Sequence, residues 1–168
     1  QHDGHVWVHS EVGRGTTFKI ALPVYRGGDI VPPRTHESIS TALQGHEIVL
    51  VVEDDLSVRR SVRRILTRYH YQVIEAAGGA EGLRVAQDDL KRIDLLLTDV
   101  VLPQMDGHEL AGRVKALHPE ARVLYMSGYT DNAILHHGVL APGVAFLPKP
   151  FTAEVLARKV REVLDESE

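Results

Sequence analysis

The stretch IDLLLTDVVLPQMDGHEL, residues 93–110, decides the fold. Leu95, Leu96 and Leu97 follow one another without the polar alternation of a half-exposed strand, so the segment reads as a strand buried on both faces. It ends in a carboxylate, Asp99. Pro103 and the turn signal Met105-Asp106-Gly107 come next, and HELAGRVKAL (108–117) then has helical spacing. Asp106-Gly107 reads as the turn that starts this helix.

The same rhythm runs through residues 47–168. EIVLVV (47–52) is an apolar run, followed by LSVRRSVRRILTRY (56–69), in which Val58, Val62, Ile65, Leu66 and Tyr69 keep a helical stripe. YQVIEA (71–76), RVLYMS (122–127) and VAFLP (144–148) read as strands, and GAEGLRVAQ (79–87) and DNAILHHGV (131–139) as short helices. TAEVLARKVREVL (152–164) reads as a long last helix with Val155, Leu156, Lys159, Val160 and Val163 on one side. Strands alternating with helices predict an α/β fold, a five-stranded doubly wound parallel sheet covered on both faces.

Before this region lie two different segments. Residues 5–24 alternate apolar side chains (Val6, Val8; Phe18, Ile20, Leu22) around the glycine-rich SEVGRGT, a strand-turn-strand pattern. Residues 25–46 hold Gly27-Gly28, Pro32-Pro33 and several Ser and Thr, with no core-forming pattern, and read as a flexible linker.

Composition narrows the function. The chain has 168 residues, 43% hydrophobic and 25% charged, with a formal net charge of −4. The first 45 residues carry four acidic and four basic side chains, which places the negative excess downstream and gives no support for a nucleic-acid patch. There is no cysteine, hence no disulfide or thiolate chemistry. No apolar run approaches the roughly 18 residues of a membrane span, and no membrane contact is expected of this segment. The start at Gln1, almost at once in strand-like sequence, leads us to expect a piece of a longer protein.

In doubly wound sheets, sites gather at the carboxyl ends of the strands. Those ends carry Glu53-Asp54-Asp55, Thr98-Asp99, Met126-Ser127-Gly128 and Pro148-Lys149-Pro150. Several carboxylates, one hydroxyl and one ammonium should therefore meet. Oxygen ligands without sulfur favour a hard divalent ion, Mg²⁺ above all. With the metal bound, a carboxylate can attack a phosphoryl group, Lys149 can neutralise the transferring oxygens and Ser127 can hydrogen-bond one of them. Gly128 leaves room for the phosphoryl group.

At these residues the sequence resembles the receiver domain of two-component response regulators. The resemblance covers about residues 46–166 and rests on VLVVEDD, LLLTDVVLPQMDG, YMSG and FLPKPF, in order on the expected strand ends. It implies the flavodoxin-like strand order 2-1-3-4-5. It implies Asp99 as phosphoacceptor, Mg²⁺ on Glu53, Asp54, Asp99 and the backbone carbonyl of Val101, Ser127 as switch hydroxyl, Lys149 as phosphoryl partner, Phe146 as aromatic switch and a cis Lys149-Pro150 bond. Asp55 matches a more variable position and is not assigned to the metal. The positions two after Asp99 and two after Ser127 are Val101 and Tyr129, neither suited to activating water, so slow self-hydrolysis of an aspartyl phosphate is expected.

GHVWVHSEVGRGTTFKIALPV is similar to the closing segment of histidine-kinase ATP-binding domains, with Gly13, Gly15 and Thr16 on that family's last glycine box. The rest of that domain's motifs are absent, so these residues are expected to be a remnant that binds no ATP usefully. Taken together, the resemblances imply the carboxyl-terminal part of a hybrid histidine kinase: residues 1–24 the end of its ATP-binding domain, 25–46 a linker and 47–168 a receiver. The implied partners are a histidine-phosphorylated kinase or phosphotransfer domain, with a homodimer left open. The implied location is cytoplasmic, under a parent kinase that uses ATP and is open to membrane anchoring. No output domain is expected after LDESE, and relay, feedback and a phosphate sink all stay open.

Other readings are weighed against this one. A haloacid-dehalogenase phosphatase also uses a strand-end Asp but wants a second Asp where Val101 stands, and an acidic first loop would repel a flavin phosphate. A degenerate receiver acting only as a protein-binding module remains the alternative. His5, His9 and His136-His137 join no second ligand set. HELAGR at His108 lacks the proline of a kinase histidine box. Arg59, Arg60, Arg63, Arg64 and Arg68 read as a solvated basic face of the first helix, or more sharply as a docking face for the partner that delivers the phosphoryl group.

Overall fold

The computed structural model describes residues 4–23, 41–88, 92–128 and 144–166. The expected helix at 131–139, Tyr129, His136-His137 and most of the expected linker lie outside these. The chain divides into two compact units, residues 1–37 and 38–168.

The first unit is an antiparallel hairpin of β1 (His5–Glu11) and β2 (Gly15–Ala21). Its register places Val6 opposite Ile20 and Val8 opposite Phe18, as the alternation predicts. Gly13 (φ 80°) and Gly15 (φ 90°) take the left-handed turn conformations that side chains resist. All strand residues are exposed, among them Trp7, whose ring stacks on His5 with centroids 5.9 Å apart.

The second unit contains a five-stranded sheet in the order β4-β3-β5-β6-β7, every neighbour parallel. Its strands are β3 (Ile48–Val52), β4 (Gln72–Ala76), β5 (Leu95–Asp99), β6 (Arg122–Ser127) and β7 (Ala145–Pro148). The described helices are α1 (Leu56–Arg68), α2 (Gly79–Ala86), α3 (Gly107–Leu117) and α4 (Ala153–Asp165). Counted within this unit, the order is the expected 2-1-3-4-5.

Period-two alternation sorts the strand side chains onto two faces. Val49, Val51, Leu95, Leu97, Leu124 and Met126 pack beneath α1 and α4 with Val62, Leu66, Leu156 and Val160. Leu50, Val52, Leu96 and Tyr125 pack beneath α2 and α3 with Ala86, Leu110 and Val114. Burial on both faces is why these strands read as unbroken apolar runs. Each fully buried Leu or Val contributes about 1.5–3 kcal/mol.

The starts of α1, α3 and α4 are fixed by side-chain caps. The Asp55 carboxylate accepts from the Ser57 and Val58 amides (2.7 and 3.0 Å). Asp106 accepts from Glu109 (2.7 Å), so the Asp-Gly turn does start α3, and Thr152 accepts from Val155 (3.3 Å). Asp55, not assigned to the metal from sequence, is occupied as a cap.

Residues 41–46 depart from the sequence expectation. Thr41–Leu43 forms a 3-10 turn and Leu43 packs against the core of the α1/α4 face. The Tyr71 hydroxyl donates to the Leu43 carbonyl (3.2 Å) and the Gly45 amide to the Tyr69 carbonyl (3.1 Å). One apolar residue among Ser, Thr and Gly shows no period, yet it packs, partly buried, against this core.

Candidate functional site

Strand register assembles the site. Val52 lies opposite Thr98, so Glu53 follows at the level of Asp99. Asp99 lies opposite Met126, and Ser127 opposite Pro148, the residue before Lys149. Four distant segments thus deliver their polar residues to one edge.

There, Lys149 Nζ donates to Glu53 Oε2 at 2.6 Å and to Asp99 Oδ2 at 2.7 Å. The Val101 amide donates to Asp99 Oδ1 at 3.1 Å. Glu53 is buried, Asp99 half-buried and Asp54 exposed, and each offers a carboxylate oxygen within 4.8 Å of the others. Ser127 is buried at the adjoining strand end, where its carbonyl accepts from the Lys149 amide at 2.7 Å. The Lys149-Pro150 bond is cis, as expected. A Cβ at Gly128 would meet no atom of the described residues within 4 Å.

Burial pushes the Glu53 carboxyl above its ordinary value, and the Lys149 ammonium offsets this only partly. Burial alone would lower Lys149, but hydrogen bonds to Asp99 and Glu53 outweigh it and hold the ammonium above its usual range. Lys149 is therefore a firm cation. Three carboxylates and one ammonium leave an excess of negative charge in a partly desolvated edge, lined by oxygen donors. Such a donor set fits a hard divalent cation of the Mg²⁺ kind.

The remaining sequence-expected residues fall as follows. The Val101 side chain is exposed. Phe146 is half-buried, pairs in register with Tyr125 and packs against the α2/α3 core. His108 stacks on Tyr125 at 6.3 Å, which places it as a packing residue of α3. Gly13, Gly15 and Thr16 lie in the hairpin, where Thr16 Oγ1 meets Ser10 Oγ at 2.8 Å.

Arg59 corrects the reading of α1 as a solvated basic face. Its side chain is only 13% exposed, and one guanidinium nitrogen donates to the carbonyls of Glu53 (2.6 Å) and Asp54 (3.4 Å). Glu75, at the end of β4, lies 4.0 Å from Arg59 and 3.0 Å from Arg63. Arg60, Arg63, Arg64 and Arg68 are exposed. Sequence also missed the function of Gly107. A Cβ there would stand 2.0 Å from the Asp99 carbonyl oxygen and 3.2 Å from Val100 Cα. The α3 N-terminus thus presses on the backbone that carries Asp99, and only glycine permits the approach.

Comparison with known proteins fits this edge. The model of the response regulator receiver domain family matches residues 49–161. The chain belongs to that family. Its receiver is part of a two-component system, and the Glu53/Asp54/Asp99 pocket suits the metal and phosphoaspartate site of such a domain. The chain is 36% identical to the sensor kinase CckA of Brucella abortus (strain 2308) over 174 residues, an alignment that spans 100% of this chain and 18% of that protein. Among solved structures, the receiver domain from the hybrid histidine kinase CckA matches with a TM-score of 0.60 and 36% identity, covering 70% of this chain and 99% of that one. The Vibrio cholerae chemotaxis protein CheY4 matches with a TM-score of 0.62 and 30% identity, covering 71% and 99%. No described helix is long and apolar enough to cross a membrane.

Proposed function

We propose that the receiver accepts a phosphoryl group from a phosphohistidine onto the Asp99 carboxylate. The convergence of Lys149 on both Asp99 and Glu53, at 2.7 and 2.6 Å, carries this reading. Glu53, Asp54, Asp99 and the carbonyl of Val101 would hold Mg²⁺, which when bound neutralises charge on the acid cluster and on the incoming phosphoryl oxygens. The Val101 amide and Lys149 orient Asp99 for in-line attack, and the phosphohistidine imidazole leaves with the bonding pair. Lys149 then pairs with a phosphoryl oxygen in place of one carboxylate partner. Ser127 donates to another, and this draws the β6 end toward Asp99 and lets Phe146 turn inward. The exposed, apolar Val101 offers no group to orient an attacking water, which favours a persistent acyl phosphate.

The same reading makes residues 1–24 the end of an ATP-binding domain, 25–46 a linker and 47–168 the receiver of a hybrid histidine kinase whose parent uses ATP. Support comes from the alignment with a sensor kinase, which runs through the whole chain, hairpin included. A phosphotransfer partner would meet the exposed Arg60, Arg63 and Arg64 of α1, with Arg59 excluded because the acidic loop occupies it.

Intact mass after incubation with acetyl phosphate and Mg²⁺ tests the proposal. The parent should gain one phosphoryl mass, sensitive to chelator, and Asp99→Asn none. No gain in the parent would move the chain to the class of receivers that only bind proteins.

A further inference from the structure

Arg59 sits on the first turns of α1, yet its guanidinium points back to the loop before the helix. Helical side chains lean toward the N-terminus, which gives Arg59 this reach. One guanidinium nitrogen bridges the carbonyls of Glu53 and Asp54, the two loop residues whose side chains face Asp99. On the other side Glu75 lies within 4.0 Å of Arg59, and the Glu53 amide donates to the Ala76 carbonyl at 3.2 Å. The β3–α1 loop is thereby tied to the end of β4 through backbone and side chain together. Without Arg59, the partly buried Glu53 carbonyl and the exposed Asp54 carbonyl would lose this donor, and the Glu53 amide would keep its backbone bond to β4.

We infer that Arg59 is a positioning residue of the metal site: by clamping the Glu53 and Asp54 carbonyls, it sets the direction of both carboxylates toward Asp99. This rests on the reading of Glu53, Asp54 and Asp99 as the Mg²⁺ ligands. It makes a prediction opposite in sign to plain electrostatics. Removing a positive charge beside a cation site should tighten cation binding by Coulomb attraction. Removing a clamp should weaken it, because the carboxylates must be ordered on binding; groups that orient metal ligands are worth about 10–100-fold in affinity.

The test is titration of Mg²⁺ alone into the 168-residue chain by calorimetry, with circular dichroism to verify folding. Arg59→Ala should raise the Mg²⁺ Kd about tenfold. Arg59→Lys keeps a single donor nitrogen and should recover much of the loss, which also serves if the alanine variant folds poorly. Arg63→Ala removes an equal charge that shares Glu75 but touches neither carbonyl, and should leave Kd unchanged or slightly lower. A folded Arg59→Ala with unchanged or tighter Mg²⁺ binding, beside a parent that binds and an Asp54→Asn variant that binds less well, overturns the clamp and spares the metal site. A parent that takes up no Mg²⁺ overturns both.

Discussion

Glu53 is a carboxylate placed where water hardly reaches, and its charge is held by Lys149 at 2.6 Å and by the Asp55 backbone amide. Burial raises its pKa, so the native state holds a proton there more tightly than the unfolded chain does. The sign follows from linkage. The stability Glu53 contributes is fully present below its ordinary value of 4.5 and is lost as the pH rises through the elevated native value. Urea unfolding of the parent and Glu53→Gln in chelator, from acid to neutral pH, should therefore show the variant gaining on the parent as pH rises. A constant difference would contradict it. The convergence of Glu53, Asp54, Asp99 and Lys149 was legible in the sequence, because each stands at or just after the end of a strand in a parallel sheet, and those carboxyl ends share one edge, where sites form. Arg59 was not. Helical periodicity assigns a face to a residue but does not say how far a long side chain reaches along the axis.

At the level of elements, α3 is tuned by its first residue. With only hydrogen in the gap, Gly107 lets its amide donate to the Val100 carbonyl at 2.9 Å while the helix touches the Asp99 backbone. Gly107→Ala puts a methyl group against backbone, which cannot rotate away, and should cost about 2–3 kcal/mol in urea unfolding. It should also slow phosphoryl acceptance, read from the intact-mass time course, since the displaced backbone carries Asp99. A stable variant with a normal time course would show that the loop yields freely. The Asp-Gly pair announced a helix start correctly, through the cap chemistry of Asp106. What the glycine faced depends on tertiary packing, to which a turn signal is blind. The strands and described helices were legible for the opposite reason, since burial on two faces and a 3.6 period are properties of the segments themselves.

For the whole molecule, the boundary of the receiver depends on residues that look like linker. Leu43, Gly45 and the Tyr71 hydroxyl bind residues 41–46 to the folded unit, and Glu47 is held by Arg161 of α4 at 2.8 Å. A chain beginning at Glu47 loses, relative to one beginning at Ser38, the Leu43 contact and the hydrogen bonds that Leu43, Gly45 and His46 make with Tyr71, Tyr69 and Gln72. It should be less stable by about 2 kcal/mol in urea unfolding. Equal stabilities would show that this strap is decoration. The doubly wound order was legible from the alternation of elements. The strap was not, because a single leucine makes no pattern and its partners lie over 20 residues away.

The hairpin has a practical consequence in spectroscopy. The chain has one tryptophan, and it is Trp7 of β1. Emission excited at the indole band therefore follows the hairpin, while among the described residues the aromatic rings in the core of the second unit are those of Tyr69, Tyr71, Tyr125, Phe146 and Phe151. An indole introduced in place of Phe146, with Trp7 changed to Phe, would move the chromophore to the side chain proposed above to turn inward, and a change in its quenching on phosphoryl acceptance at Asp99 would be the optical signature of that rotation.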